Sequence, residues 1–300
     1  MLGFGLSLGV AILKAVSDVT QKRATTVIAH DEIVILLQRC IEVLVAILVL
    51  AAGVYLAFIS PSISASLYTY FAVVILAAGV NFAAFYCNVR ALRLSDVSLV
   101  SPISQLTPAV LLVTSPFMLG ESVSAGGVAG VLLVVLGAYV LGIKHARVSV
   151  RSLYEPLLHL ASDRGVRYAL LASVLYGFSA NLDKIGVKMS DPFVFTIASG
   201  VAMASGIALY SFVAHRNRLI ITGSQVNSGL YPGLSGGVGS LLQMIAISLW
   251  PVAYVIAVKR LSAVFSVLTG AYLFKEKDLL PRLLGAAVMV AGTAVILIYG

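Results

Sequence analysis

Charge is scarce in this chain of 300 residues: Asp, Glu, Lys and Arg make up 11% of it, against 60% hydrophobic residues. So little charge cannot cover the surface of a water-soluble fold, and no stretch is left over for a soluble domain. Cysteine is nearly absent, and the two that occur, Cys40 and Cys87, lie inside apolar runs. A disulfide framework is therefore excluded. The four histidines, His30, His145, His159 and His215, lie at loops or at the ends of apolar runs. No His/Cys/Glu spacing suggests a metal site and no Walker-type loop suggests ATP. No cofactor is expected.

What the chain does contain is apolar blocks of about 20 residues, the length a helix needs to cross a ~30 Å hydrocarbon core. They fall at roughly 2–21, 34–59, 67–89, 95–119, 126–143, 168–187, 193–214, 229–249, 251–274 and 281–299. The first block lacks a basic n-region and a cleavage site before Lys22, so it reads as a helix rather than a signal peptide. The fold class expected is an all-α integral membrane protein with ten transmembrane helices. Between 144 and 167, Val150, Leu153, Leu157, Leu160 and Ala161 recur at helical spacing; this reads as a short interfacial helix or a solvated linker.

The net charge of +8 does not point to nucleic acid, because the basic residues sit at helix ends. Of the Lys and Arg residues, fourteen fall in the loops 1–2, 3–4, 5–6, 7–8 and 9–10, two on the opposite side (Lys184, Lys188) and four within spans. Cytoplasmic loops carry the excess of Lys and Arg. The bias places both termini outside the cytoplasm.

Shifted by 155 residues, 86–143 falls on 241–298 without a gap: Ala91 on Ala246, Val97 on Val252, Val100 on Val255, Glu121 on Glu276, Gly130 on Gly285, Gly137 on Gly292. At a different offset, Ser17 and Lys22 fall on Ser179 and Lys184. The halves divide as 1–143 and 168–300, joined by 144–167. Five spans per half is an odd number, so the second half enters the membrane inverted. Inverted repeats of this kind are typical of secondary transporters, with the site near the midplane between the halves.

The same residues carry a resemblance. Arg90-Ala91-Leu92, Val97, Val100, Pro108, Leu119-Gly120-Glu121, Gly130 and Gly137, with the second copy Ala246, Val252, Val255, Glu276, Gly285 and Gly292, are similar to the EamA-type drug/metabolite transporter superfamily. The resemblance implies a ten-helix carrier of the cell (plasma) membrane that moves amino acids, nucleotide sugars or other small metabolites, often outward. Its partners would be a small-molecule substrate and the lipid bilayer, with no nucleic acid, in a monomer or homodimer. It also implies cytoplasmic termini, opposite to the charge bias, and the loop SPSISAS between spans 2 and 3 lacks the basic residues such families carry there.

A charge at a helix centre costs roughly 2.5–3.5 kcal/mol on insertion scales, so polar residues inside spans are the candidate site. Lys14 and Asp18 share a face of span 1; they neutralise one another or line a path, and Asp18 is the first candidate for proton coupling. Asn81 and Asn88 lie in span 3, and Asn88 falls on Gln243. Ser104 and Gln105 fall on Lys259 and Arg260, two adjacent cations that cannot share one face. Tyr254 flanks them, as belt residue or stacking surface. Arg39 and Glu42 read as a snorkelling ion pair near a span end, and Asp183 with Lys184 as interfacial. Spans 1, 3, 4, 6, 8 and 9 are expected to surround the cavity.

Span 4 carries Pro102, Pro108 and Pro116 where span 9 has Ala257, Ala263 and Ala271. The prolines predict a bent, cavity-lining span 4, as a gate or a static kink. Three other classes compete with a carrier. Gly233-Leu234-Ser235-Gly236-Gly237 matches a serine-nucleophile pattern, but no histidine follows Ser235 and close helix packing explains the glycines, so an enzyme is not expected. A passive channel and a flippase for lipids or lipid-linked sugars are the remaining alternatives.

Overall fold

A bilayer offers no partner for a free N–H or C=O, so apolar blocks of spanning length must close their hydrogen bonds internally as helices. The computed structural model describes residues 1–25, 31–56, 61–95, 97–142, 163–215, 223–265 and 280–300. Among them there are eleven helices and no strand: α1 (Leu2–Thr25), α2 (Asp31–Tyr55), α3 (Leu67–Leu94), α4 (Val97–Ser104), α5 (Thr107–Leu119), α6 (Ala125–Gly142), α7 (Arg164–Met189), α8 (Pro192–His215), α9 (Gly223–Leu249), α10 (Val252–Lys259) and α11 (Leu280–Tyr299). Span 4 is α4 and α5 together, and span 9 begins with α10. The fold is the expected one, ten membrane helices in two inverted five-helix repeats.

Among the described residues, five segments are both long and apolar enough to cross a membrane: Leu36–Tyr55, Leu67–Leu94, Leu99–Leu119, Pro192–Tyr210 and Leu230–Leu249. The sixth span, α7, is too polar for that measure because it runs through the protein centre. Its buried residues include Ser173, Ser179, Asn181, Asp183 and Lys184. It starts at Arg164, earlier than hydropathy suggests, because Asp163 caps it by accepting from Gly165 N and Val166 N. Most of the 144–167 connection lies outside the described residues.

The two repeats meet along α6 and α11. A Cβ added at Gly130 would come within 2.8 Å of Gly292 O, one at Gly137 within 2.6 Å of Gly285 O, one at Gly285 within 2.8 Å of Gly137 O, and one at Gly292 within 2.8 Å of Gly130 O. Gly130 corresponds to Gly285 and Gly137 to Gly292, so each contact is matched by its symmetry mate, as an isologous interface requires. Lipid is as apolar as leucine, so these helices are held by backbone-to-backbone packing that only small residues permit.

Span 4 turns at Gln105–Leu106 and span 9 at Arg260–Leu261, the equivalent positions. Both turns use the same tightened hydrogen bonds: Gln105 N to Pro102 O and Leu106 N to Ile103 O in one, Arg260 N to Ala257 O and Leu261 N to Val258 O in the other, at 2.9–3.1 Å. The bend is therefore shared by both repeats, although span 9 has alanine where span 4 has proline. Pro108 removes the N–H that would continue the helix from Ser104 and so hardens a turn that the architecture makes in either case.

The glycine interface can be tested directly. Gly137→Ala and Gly292→Ala should each lower stability by about 1–3 kcal/mol through overpacking, read as a drop in thermal unfolding temperature in detergent. Gly79→Ala, where a Cβ meets nothing within 4 Å, should leave it unchanged.

Candidate functional site

Between the repeats lies a cavity of about 420 Å³. Its walls come in symmetry-related pairs: Asn88 with Gln243, Phe85 with Ser240, Ser104 with Lys259, Thr107 with Ser262, and, at the offset of the first spans, Ser17 with Ser179. The cavity thus sits on the pseudo-twofold axis. Spans 1, 3, 4, 6, 8 and 9 all contribute, and so does span 2 through Gln38, Arg39 and Glu42.

Of the residues singled out from sequence, Lys14, Asn81, Asn88, Gln243, Lys259 and Arg260 line this cavity. Lys259 Nζ donates to Gln243 Oε1 at 2.5 Å, which joins spans 8 and 9 across the second repeat. Asn81 Nδ2 donates to Ser179 Oγ at 3.1 Å, joining spans 3 and 6. Gln105 is outside the lining; its Oε1 is buried and accepts no hydrogen bond among the described residues. Tyr254 is also outside it. Its hydroxyl accepts from Ser124 N at 3.2 Å, and its ring stacks against Trp250 with centroids 5.2 Å apart. The carboxyl of Asp18 lies outside the described residues. Pro102 and Pro108 are buried behind the turn of span 4, and Pro116 is exposed on α5.

Two groups read from sequence as peripheral are central. α2 begins at Asp31, which puts Arg39 and Glu42 in its third turn. Glu42 is buried, and accepts from Arg39 Nη1 at 2.7 Å and Gln38 Nε2 at 3.0 Å. Gly236 makes room for this carboxylate, since a Cβ there would lie 2.5 Å from Glu42 Oε1. Asp183, one and a half turns from the end of α7, is only 8% exposed and faces both the cavity and a side recess of about 70 Å³ between α2, α3, α7, α8 and α9. The hydropathy pattern hid both, because each lies within a few residues of where the apolar run fades. The available signal was helical phase: Asn81, Asp183 and Glu42 each share a face with another polar residue.

The cavity lies on the mid-to-odd-loop half of the spans. On the terminal side the same helices close over it. Tyr70, Val74, Leu111, Leu182, Val187, Phe195, Ile247 and Val252 form one core cluster there. Through this seal runs an ion pair between Lys184 Nζ and Glu121 Oε1, with both side chains buried. Lys184 also donates to Trp250 O at 3.0 Å, and Glu121 Oε2 accepts from Val252 N at 3.0 Å. Glu121 thus caps α10, whose preceding residue, Pro251, supplies no side-chain cap; a carboxylate at a helix N-terminus is favourable. Gly120, with φ 67°, turns the chain from α5 so that Glu121 can reach inward. One pair of charges therefore ties span 4, span 6 and the junction of spans 8 and 9.

Ser235 lies mid-helix in α9 and donates its hydroxyl to Tyr231 O at 2.9 Å. Gly233 and Gly237 beside it face α2, where an added Cβ would lie 2.7 Å from Ile41 Cβ and 3.0 Å from Val45 Cβ. The pattern that resembled a nucleophile motif is a packing surface.

Removing one member of a buried pair strands the other, at a cost of about 3–5 kcal/mol. Glu121→Gln and Lys184→Met should each cause a large fall in thermal stability, while the double variant recovers part of it. Unfolding of the two singles and the double in detergent gives the coupling energy directly.

Comparison with known proteins agrees with this architecture. A solved crystal structure superposes with a TM-score of 0.76 over 99% of this chain and 97% of its own, at 18% identity, which speaks to the fold alone. Among curated proteins none matches significantly. The model of the EamA-like transporter family matches residues 1–143 and 163–298, one copy on each repeat. The chain belongs to the EamA-like transporter family and is a membrane transporter of the drug/metabolite transporter superfamily.

Proposed function

We propose that this transporter is a secondary carrier that moves a small polar metabolite, an amino acid or a molecule of similar size, out of the cell across the plasma membrane by alternating access. The carrying observation is the cavity on the pseudo-twofold axis, walled by equivalent positions of both repeats and sealed on one side by packed core and the Glu121–Lys184 pair. Exchange of roles between two such halves moves the seal from one side to the other. The cavity occupies the side that the Lys- and Arg-rich loops mark as cytoplasmic, which supports loading from the cytoplasm and export. Lys14, Lys259 and Arg260 give its main chamber a cationic wall. Cations at membrane depth favour an anionic group on the ligand. Proton coupling through Asp18 belongs to the same reading: an Asp18→Asn carrier should lose its response to an imposed pH gradient.

Counterflow in proteoliposomes tests the carrier. Purified protein preloaded with one member of a panel of amino acids, nucleotides and sugar phosphates should show saturable, trans-stimulated uptake of a single class. A non-saturable flux would indicate a channel, and scrambling of labelled lipid without solute uptake a flippase. Lys259→Gln should raise KM about tenfold or more by removing a charge-assisted hydrogen bond. Pro108→Ala should remain folded, because Ala263 sustains the same turn in span 9. In that variant, a fall in transport rate at wild-type expression assigns the proline to gating, and lost stability assigns it to a static kink.

A further inference from the structure

The side recess carries a further assignment, which rests on the carrier reading. Six residues, Arg39, Glu42, Asn81, Asp183, Ser240 and Met244, belong to both the recess and the main cavity, so the two chambers are adjacent and share a wall. Thr196 and Ser199 close the recess from α8. Both donate their hydroxyl hydrogens to carbonyls of their own helix, Thr196 Oγ1 to Pro192 O and Ser199 Oγ to Phe195 O. What they have left to offer a ligand is lone pairs. Glu42 is held by Arg39 and Gln38. Asp183 is different. It is more than nine-tenths buried, accepts no hydrogen bond and forms no ion pair among the described residues, and feels the charges of Lys259 and Arg39 only at a distance. A buried carboxylate without a direct partner is costly unless something fills the place. Within the recess, one guanidinium faces two carboxylates, which leaves one negative charge. The volume of about 70 Å³ admits a small group and not a whole metabolite, whose sites run to hundreds of cubic ångströms.

We infer that the recess is a small-monocation subsite in which Asp183 is the ligating carboxylate. The cation is a primary ammonium group on the substrate or a free alkali ion that travels with it. In the first case the main chamber's Lys14, Lys259 and Arg260 face the anionic end of the same molecule, and the carried metabolite is a zwitterion.

The experiment is ligand-dependent thermal stability of the purified full-length protein. The probes are amino acids, the matching 2-hydroxy acids that lack the ammonium group, and sodium chloride against choline chloride. If the ammonium is the cation, an amino acid stabilises the wild type and its 2-hydroxy counterpart does not. If a free ion is the cation, sodium chloride stabilises without any amino acid. In either case Asp183→Asn weakens the response about tenfold or more, and Asp183→Glu keeps part of it. Thr196→Val, which removes one recess oxygen and leaves the carboxylate, weakens the same response less. The inference is overturned if Asp183→Asn is folded and keeps the wild-type response, or if no probe shifts the wild type. Counterflow of an amino acid by an Asp183→Asn carrier at the wild-type rate would likewise sink the subsite while leaving the carrier reading intact.

Discussion

Hydrocarbon does not solvate charge, and this constraint arranges everything else in the molecule. Polar and ionised side chains within the spans must meet one another, water or a ligand. They gather where helices can enclose them, on the axis between the repeats. The most polar helix, α7, accordingly runs through the middle, while the outer faces of α2, α3 and α8 present leucine, isoleucine, phenylalanine and valine to lipid. The glycine contacts of α6 and α11 serve the same end. With no hydrophobic effect to drive helices together in a bilayer, the scaffold is held by direct backbone packing.

The bends of spans 4 and 9 follow from inverted duplication. A turn that interrupts a helix at membrane depth is tolerated only where protein or a water-filled cavity satisfies the freed groups. Both turns lie beside the cavity, and both use the same hydrogen-bond pattern with different residues. The prolines of span 4 are therefore one way of building a feature that span 9 builds without them.

Span number, the repeat and the inverted topology were legible in the sequence because they depend on block length and on glycines at fixed spacing, signals that survive without coordinates. Asn88, Gln243, Lys259 and Arg260 were legible for the same reason, since the repeat places them at equivalent depths. Tyr254 was misplaced because its ring packs under Trp250 and beside α6, on the sealed side, and nothing in the chain records which way a helix faces. Arg39, Glu42, Asp183 and Lys184 were read as interfacial because depth was judged from where the apolar run ended. The helices extend past those points: α7 is capped by Asp163 ahead of its apolar run and continues to Met189. The partnership of Lys184 with Glu121 was invisible because the two lie in different repeats, joined only by the fold.

The scaffold is symmetric but its charges are not. Lys259 has Ser104 as its counterpart, Arg260 has Gln105, and Asn81 has Gly236. Symmetric backbones give two states of similar energy, which alternation between two sides of a membrane requires. Had the side chains also been symmetric, the cavity would present the same field to either end of a ligand. Cations on the main wall and carboxylates in the recess instead give the cavity a direction, so that a ligand with unlike ends has one favoured orientation in it. On the proposed carrier reading, selection and movement of a ligand are divided between side chains and backbone, so substitutions among the lining residues would change what is carried while the helix packing stays as it is.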